Sequence, residues 1–367
     1  MVGGVANYWA NLARYLDPEQ LVVLAGEMEN SLDFDVREHY LIYRRSLISG
    51  NKLLWPRWLP AIYHAWQLAR MEKIQKIIIT QVLPMGTVAL LIKKFLNIPY
   101  IVSLHGLDIA SASRNLRKKK IAERILNNAE KIIVNSEFTK GLLLQSMNII
   151  EKDKVVVVYP CPNIVGQEIE PEKLNDFKLK NGLIGKKIIL AVSRLVKRKG
   201  QDMVIKALTQ VLPKVPDLAY LIVGNGPELE PLKNLVKDNK LESQVKFFND
   251  VSDKDLGLFY AVADLFVMAS RKLSDGDIEG FGIVYLEANA FGKPVIAGNV
   301  GGAPEAVRHN QTGLIVDPEN VNEIAQAIIS LLTNSEKSKQ LGANGKKMVA
   351  EMYNWPKQSQ KLINILN

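Results

Sequence analysis

The stretch Lys187-Ile188-Ile189-Leu190-Ala191-Val192-Ser193-Arg194-Leu195-Val196-Lys197-Arg198-Lys199-Gly200-Gln201 runs from an aliphatic strand, through a basic turn, into an amphipathic helix. A buried apolar run followed at once by a helical period is the signature of a parallel strand and its crossover. The same alternation recurs on both sides of it. Strand-like runs fall at 21–26, 40–43, 76–80, 100–105, 131–136 and 155–159, then at 187–194, 219–224, 245–248, 265–269, 294–297 and 313–316. Helical periods at 201–211, 227–239 and 321–332 lie between them. Strand–helix alternation predicts parallel sheets covered by helices on both faces, and two such sets predict two doubly wound Rossmann-like domains. The break falls at Tyr159-Pro160-Cys161-Pro162-Asn163, because prolines cannot continue a central strand. The expected divisions are 1–165, 166–351 and a closing helix in 352–367 whose first turn takes Pro356.

Composition narrows the function classes. The 367 residues are long enough for two cores, and 47% hydrophobic with 23% charged is ordinary for a globular protein. No apolar run reaches the roughly 18 residues of a membrane span, and Met1 leads directly into a Gly-Gly turn, which does not read as a signal peptide. The single Cys161 leaves no intramolecular disulfide and no Cys-rich zinc site, so the expected compartment is the cytoplasm. A formal net charge of +9 suits an anionic partner: a nucleotide, a membrane surface or nucleic acid. No aromatic-interleaved basic stripe accompanies it, so nucleic acid ranks last.

In open α/β sheets, ligands bind beyond the carboxyl ends of the strands. Four segments stand there. Arg194 offers a planar fork and Lys199 a point charge, a pair suited to a diphosphate; the bland alternative is a solvated basic loop. Glu279-Gly280-Phe281-Gly282-Ile283-Val284-Tyr285-Leu286-Glu287 places two carboxylates across a glycine turn that opens a helix, with anion-binding amides between them. An acidic first turn complementing the helix dipole would account for one glutamate but not for the glycines. His105 ends a strand of the first half, where a structural histidine is an equal alternative. Gly3-Gly4 feeds the N-terminus of a helix, either as an anion loop or as a plain helix entry. Two other motifs read as false leads. Gly224-Asn225-Gly226 lacks the third glycine of a dinucleotide fingerprint, and Asp275-Gly276-Asp277 reads as a solvated loop.

Ser193-Arg194-Leu195-Val196-x-Arg198-Lys199-Gly200, Val223-Gly224-x-Gly226-Pro227-Glu228, the pair Glu279 and Glu287, and Gly301-Gly302-Ala303-Pro304-Glu305 together resemble glycosyltransferase family 4, the retaining enzymes of the GT-B fold. The resemblance covers nearly the whole chain. The wording from Asp277 to Ala288 and from Pro294 to Gly298 is similar to the phosphatidylinositol mannosyltransferase branch. It implies two domains facing across a cleft and transfer of a hexose, with mannose favoured, from a nucleotide-diphosphate sugar such as GDP-mannose to a lipid or glycan acceptor. It implies that Arg194 and Lys199 neutralise the diphosphate and that Glu287 holds the ribose. Glu279, Phe281, Gly282 and Ile283 would hold the sugar and β-phosphate. Val251 would lie at the base, and His105 would contact the sugar. At 249–250 the family often carries a glycine and a basic residue, whereas this chain has Asn249 and Asp250. No cofactor and no metal are expected, since fixed cations and amides stabilise the leaving group.

The family opens with a β-strand ahead of Gly-Gly, and here Met1-Val2 precedes Gly3 directly. The expectation is a chain lacking that first strand, with unpaired edges left in the first domain. The basic residues Arg114, Arg117, Lys118, Lys119 and Lys120, with Trp55 and Trp58 in the same half, suggest a peripheral contact with an anionic membrane. Three alternatives remain: another GT-B enzyme such as a nucleotide-sugar epimerase, a non-catalytic relative, or a dinucleotide-dependent oxidoreductase.

Overall fold

The computed structural model describes residues 4–28, 31–51, 55–164, 166, 169–274 and 276–367. The chain divides into two compact units, one of residues 1–160 with 355–367 and one of residues 161–354. The first division falls inside the proline pair, at Pro160.

The second unit is one six-stranded, wholly parallel sheet: β7 (Lys187–Val192), β8 (Leu218–Val223), β9 (Val245–Phe248), β10 (Leu265–Met268), β11 (Val295–Gly298) and β12 (Gly313–Val316), in the order β12-β11-β10-β7-β8-β9. The chain winds outward from β7 through β8 to β9, then returns to the other side of β7 with β10. The strand order therefore reverses between β7 and β10, and the crevice of a doubly wound sheet opens at the carboxyl ends of those two strands. Ile189, Ala191, Tyr220, Ile222, Leu265 and Val267 pack with the helices Gln201–Val211 and Val321–Thr333 in a single core.

In the first unit the parallel strands form two sheets. β1 (Val22–Gly26) pairs with β2 (Leu41–Arg45), while β3 (Ile77–Ile79), β4 (Tyr100–Leu104), β5 (Lys131–Val134) and β6 (Val155–Val157) follow one another in order. Among the described residues no strand joins β1 to β3, so each keeps one edge without a strand partner. The larger sheet is buried on both faces. Val102, Leu104, Ile132 and Val134 enter one core. Ile101 and Ile133 turn to the other, against Tyr8 and Leu12 of the helix Gly4–Ala13 and Leu362 of the closing helix Trp355–Leu366. The closing helix is tied in by polar contacts as well: Gln358 accepts from the Tyr159 amide at 3.0 Å, and the Lys76 ammonium donates to the Leu366 carbonyl at 2.8 Å.

Candidate active site

Strand order explains which residues meet in the second unit. The turn after β7 and the loop after β10 leave the sheet side by side, and the Arg271 amide donates to the Arg198 carbonyl at 2.8 Å to join them. Gly200 makes the approach feasible. Its φ is +72°, and a Cβ there would stand 2.0 Å from the Ala269 carbonyl oxygen. Lys199 and Arg198 consequently reach the carboxylate of Glu279, with Nζ to Oε2 at 2.6 Å and Nη1 to Oε2 at 2.7 Å. Burial alone would raise the Glu279 carboxyl, but Lys199 and Arg198 outweigh it and hold it down to about 2. Glu279 is therefore a fixed anion inside a cationic turn.

Arg194 lies near enough to Lys199 for their charges to interact, but its side chain is not bonded into this cluster. Its side chain is exposed and makes no hydrogen bond or ion pair among the described residues. The sequence pairs Arg194 and Lys199 as two loop-facing cations for one diphosphate. The structure separates them: Lys199 is half-buried and committed to Glu279, and Arg194 is the uncommitted fork. Asp277 is a correction of a different kind. It is no solvated loop residue, because its Oδ2 lies 3.2 Å from the Arg198 guanidinium. Its companion Asp275 lies outside the described residues.

Gly282 precedes the helix Ile283–Ala290, whose N-terminus has no side-chain cap, so its first amides have no side-chain acceptor. Tyr285 anchors that helix to the sheet by donating its hydroxyl to the Met268 carbonyl at 2.9 Å. Phe281 is buried against Tyr353, and Ile283 is half-buried. Glu287 is buried too, which removes the reading of a surface acid placed for the helix dipole. Tyr260 donates its hydroxyl to Glu287 Oε2 at 2.7 Å, and the Asn163 amide lies 3.4 Å from Oε1. Val251 is half-buried beyond the carboxyl end of β9, on the same rim of the sheet. The near-fingerprint glycines serve packing. A Cβ at Gly224 would stand 2.0 Å from the Ser193 carbonyl oxygen, so the β8 turn closes directly onto the β7 turn.

In the first unit His105 follows β4. Asp108 Oδ1 accepts the amides of His105, Gly106 and Ile109 at 3.1, 3.0 and 3.0 Å and so fixes this turn. The ring meets Tyr8 edge-on, with centroids 5.4 Å apart, and burial pushes the imidazole down to about 4. It is a neutral ring at physiological pH. Gly4 begins the helix Gly4–Ala13 and is exposed; Gly3 lies outside the described residues.

Arg198, Asp277 and Tyr260 were missed. Arg198 lies inside the basic run already singled out, and the acids at 277 and 279 were a visible complement to it. Tyr260 had no signal, because only the fold brings it to a residue 27 positions away.

Residues 2–164 match the family described as Glycosyltransferase Family 4, and residues 175–348 match Glycosyl transferases group 1. The GDP-mannose-dependent alpha-(1-6)-phosphatidylinositol monomannoside mannosyltransferase of Mycobacterium tuberculosis is 43% identical over 179 residues, 48% of this chain and 46% of that protein. That match spans about half of the relative's length. The GDP-mannose-dependent monoacylated alpha-(1-6)-phosphatidylinositol monomannoside mannosyltransferase of Corynebacterium glutamicum is 31% identical across 100% of this chain and 94% of its own. The crystal structure of Anabaena Alr3699/HepE in complex with UDP has the same fold, with a TM-score of 0.85 at 22% identity over 100% of this chain and 96% of that one.

Proposed function

Since the chain belongs to glycosyltransferase family 4 and has the GT-B fold, we propose that it transfers a hexose, with mannose favoured, from a nucleotide-diphosphate sugar to a lipid or glycan acceptor with retention. The observation that carries this reading is the switch-point cluster: an exposed, uncommitted Arg194 beside a buried Glu279 paired with half-buried Arg198 and Lys199, at the mouth where an uncapped helix begins. Cleaving the sugar–phosphate bond leaves negative charge on the diphosphate. The Arg194 guanidinium and the helix-terminal amides meet that charge. On this reading no metal is needed for the leaving group. Glu279 holds the sugar hydroxyls, and Glu287, oriented by Tyr260, accepts from the ribose. Val251 borders the base, and His105 is a sugar contact.

The mannosyltransferase relatives make GDP-mannose the favoured donor and a phosphatidylinositol-type lipid the favoured acceptor. A peripheral membrane position on the cytoplasmic face fits such an acceptor. Arg114, Arg117, Lys118 and Lys120 are exposed beside Leu107 and Leu116, which are 62% and 77% exposed, and no helix among the described residues is long and apolar enough to cross a membrane. A thermal-shift panel of GDP-, UDP- and ADP-sugars tests the donor, and release of nucleoside diphosphate on adding acceptor tests the transfer. A shift with GDP-mannose and acceptor-dependent GDP release is expected. Nucleotide release equal with and without acceptor counts against transfer. An absorbance change with a nicotinamide cofactor would revive the oxidoreductase alternative.

A further inference from the structure

We infer that Ser103 and Trp9 lock His105 as its Nδ1–H tautomer, so that the ring offers the sugar a hydrogen-bond donor at Nδ1 and not a base. The inference rests on the proposed sugar contact of His105 for its use, and on the local hydrogen bonds for its geometry.

Strand periodicity places Ser103 on the same face of β4 as Ile101, the face covered by the helix Gly4–Ala13. Ser103 is fully buried there. Two nitrogens reach its hydroxyl: Trp9 Nε1 at 3.3 Å and His105 Nε2 at 3.1 Å. An indole N–H can only donate, so Trp9 takes one lone pair of Ser103 Oγ. The serine then has one proton to place. If His105 Nε2 carried a hydrogen, it would be a second donor to the same oxygen, and the buried hydroxyl proton would have no acceptor among the described residues. Leaving a buried donor unmade carries its full desolvation penalty, larger than the slight preference of free imidazole for Nε2–H. If Ser103 donates to a bare Nε2, every donor in the chain Trp9–Ser103–His105 is used. A neutral imidazole with a bare Nε2 has its hydrogen on Nδ1.

The rest of the surroundings are consistent with a fixed ring. Tyr8 lies edge-on to it and is itself held by donating to the Val158 carbonyl at 2.9 Å. Asp108 clamps the backbone on either side of His105. Burial keeps the ring neutral, as an accepting Nε2 requires. Nδ1 makes no hydrogen bond among the described residues, so it is the nitrogen left for substrate. Ser103 and Trp9 are positioning residues; neither needs to touch the sugar.

The test is nitrogen-15 spectroscopy of histidine-labelled full-length protein near neutral pH. Four histidines give four ring patterns, and His105→Gln identifies the one that matters. The expected pattern for His105 is a protonated, pyrrole-type Nδ1 and a bare, pyridine-type Nε2. Ser103→Ala is expected to move the ring to Nε2–H and to lower kcat about five- to tenfold with little change in KM for the donor, the size of one neutral hydrogen bond. A wild-type His105 carrying its proton on Nε2 overturns the inference, even if Ser103→Ala does not fold. If the wild type shows Nδ1–H while His105→Gln turns over normally, the tautomer stands and the sugar contact is lost.

Discussion

At the scale of single residues, the cations of the β7 turn have separate duties, and substitution should separate them. Arg194→Ala removes an exposed side chain with no partner, so the melting temperature should hardly change, while turnover should fall about a hundredfold or more. Near-normal turnover in that variant would falsify the diphosphate role. Glu279→Gln should lower stability as well as turnover. It removes the counter-charge of half-buried Lys199 and one of the two carboxylates facing Arg198, and breaking such a pair costs up to about 3–5 kcal/mol. The pH dependence has a definite sign. With its folded value at about 2, below the ordinary 4.5, Glu279 contributes stability that is complete above pH 4.5 and is lost as pH falls towards 2. Acid titration of chemical unfolding should show that slope in the wild type and a flatter one in Glu279→Gln. Glu287 gives a third test. If its carboxylate accepts from ribose hydroxyls, Glu287→Gln should weaken donor binding by about 1.5–3 kcal/mol, and a 2′-deoxyribose donor should lose less affinity in the variant than in the wild type. Equal losses in both would leave Glu287 with a structural role only, bonded to Tyr260 and Asn163.

At the scale of elements, the site depends on how closely the ends of β7 and β10 approach. Gly200→Ala tests that dependence. A methyl group there meets the Ala269 carbonyl, and φ at +72° is costly for an L residue by about 1–2 kcal/mol before any clash. The urea midpoint should fall, and the thermal shift induced by the nucleotide sugar should shrink with it, because Lys199 and Arg198 move with the turn. An unchanged donor response would mean that the β10 loop finds its place without Gly200. The helix Ile283–Ala290 is the complementary element. Its N-terminus is uncapped and its body is anchored by Tyr285, so it presents amides in a fixed direction. In the first unit, the helices Gly4–Ala13 and Trp355–Leu366 cover the same sheet face through Tyr8, Leu12 and Leu362. The chain's two ends therefore build a single core, although they are distant in sequence.

At the scale of the whole molecule, the net charge of +9 needs an address, and the exposed basic residues at 114–120 with their neighbouring leucines give it one in the first unit. Basic residues near an anionic bilayer contribute about 1 kcal/mol each. Co-sedimentation with vesicles containing anionic lipid should exceed that with neutral vesicles and should fall with salt. Replacing Arg117, Lys118 and Lys120 by glutamine should abolish the difference. Equal partition into both vesicle types removes the membrane reading and leaves a solvated helix face.

Local sequence determined the strand and helix alternation, the proline break and the rim of the second sheet, because burial on both faces demands apolar runs and a helix must follow each parallel strand. The motif at 279–287 marked both glutamates for the same reason: glycines around a helix start, with a carboxylate at each end, are legible locally. Strand order was not legible. Only the tertiary structure puts β10 beside β7, and so only the structure could show that Lys199 and Arg198 are held by Glu279 while Arg194 is not. It alone brings Tyr260 to Glu287 and Trp9 to Ser103, 94 positions apart in the chain. The physical reason is range. Propensity and periodicity act over a few residues, whereas the protonation state and partner of a buried polar side chain are set by whichever distant group the packing places within hydrogen-bond reach.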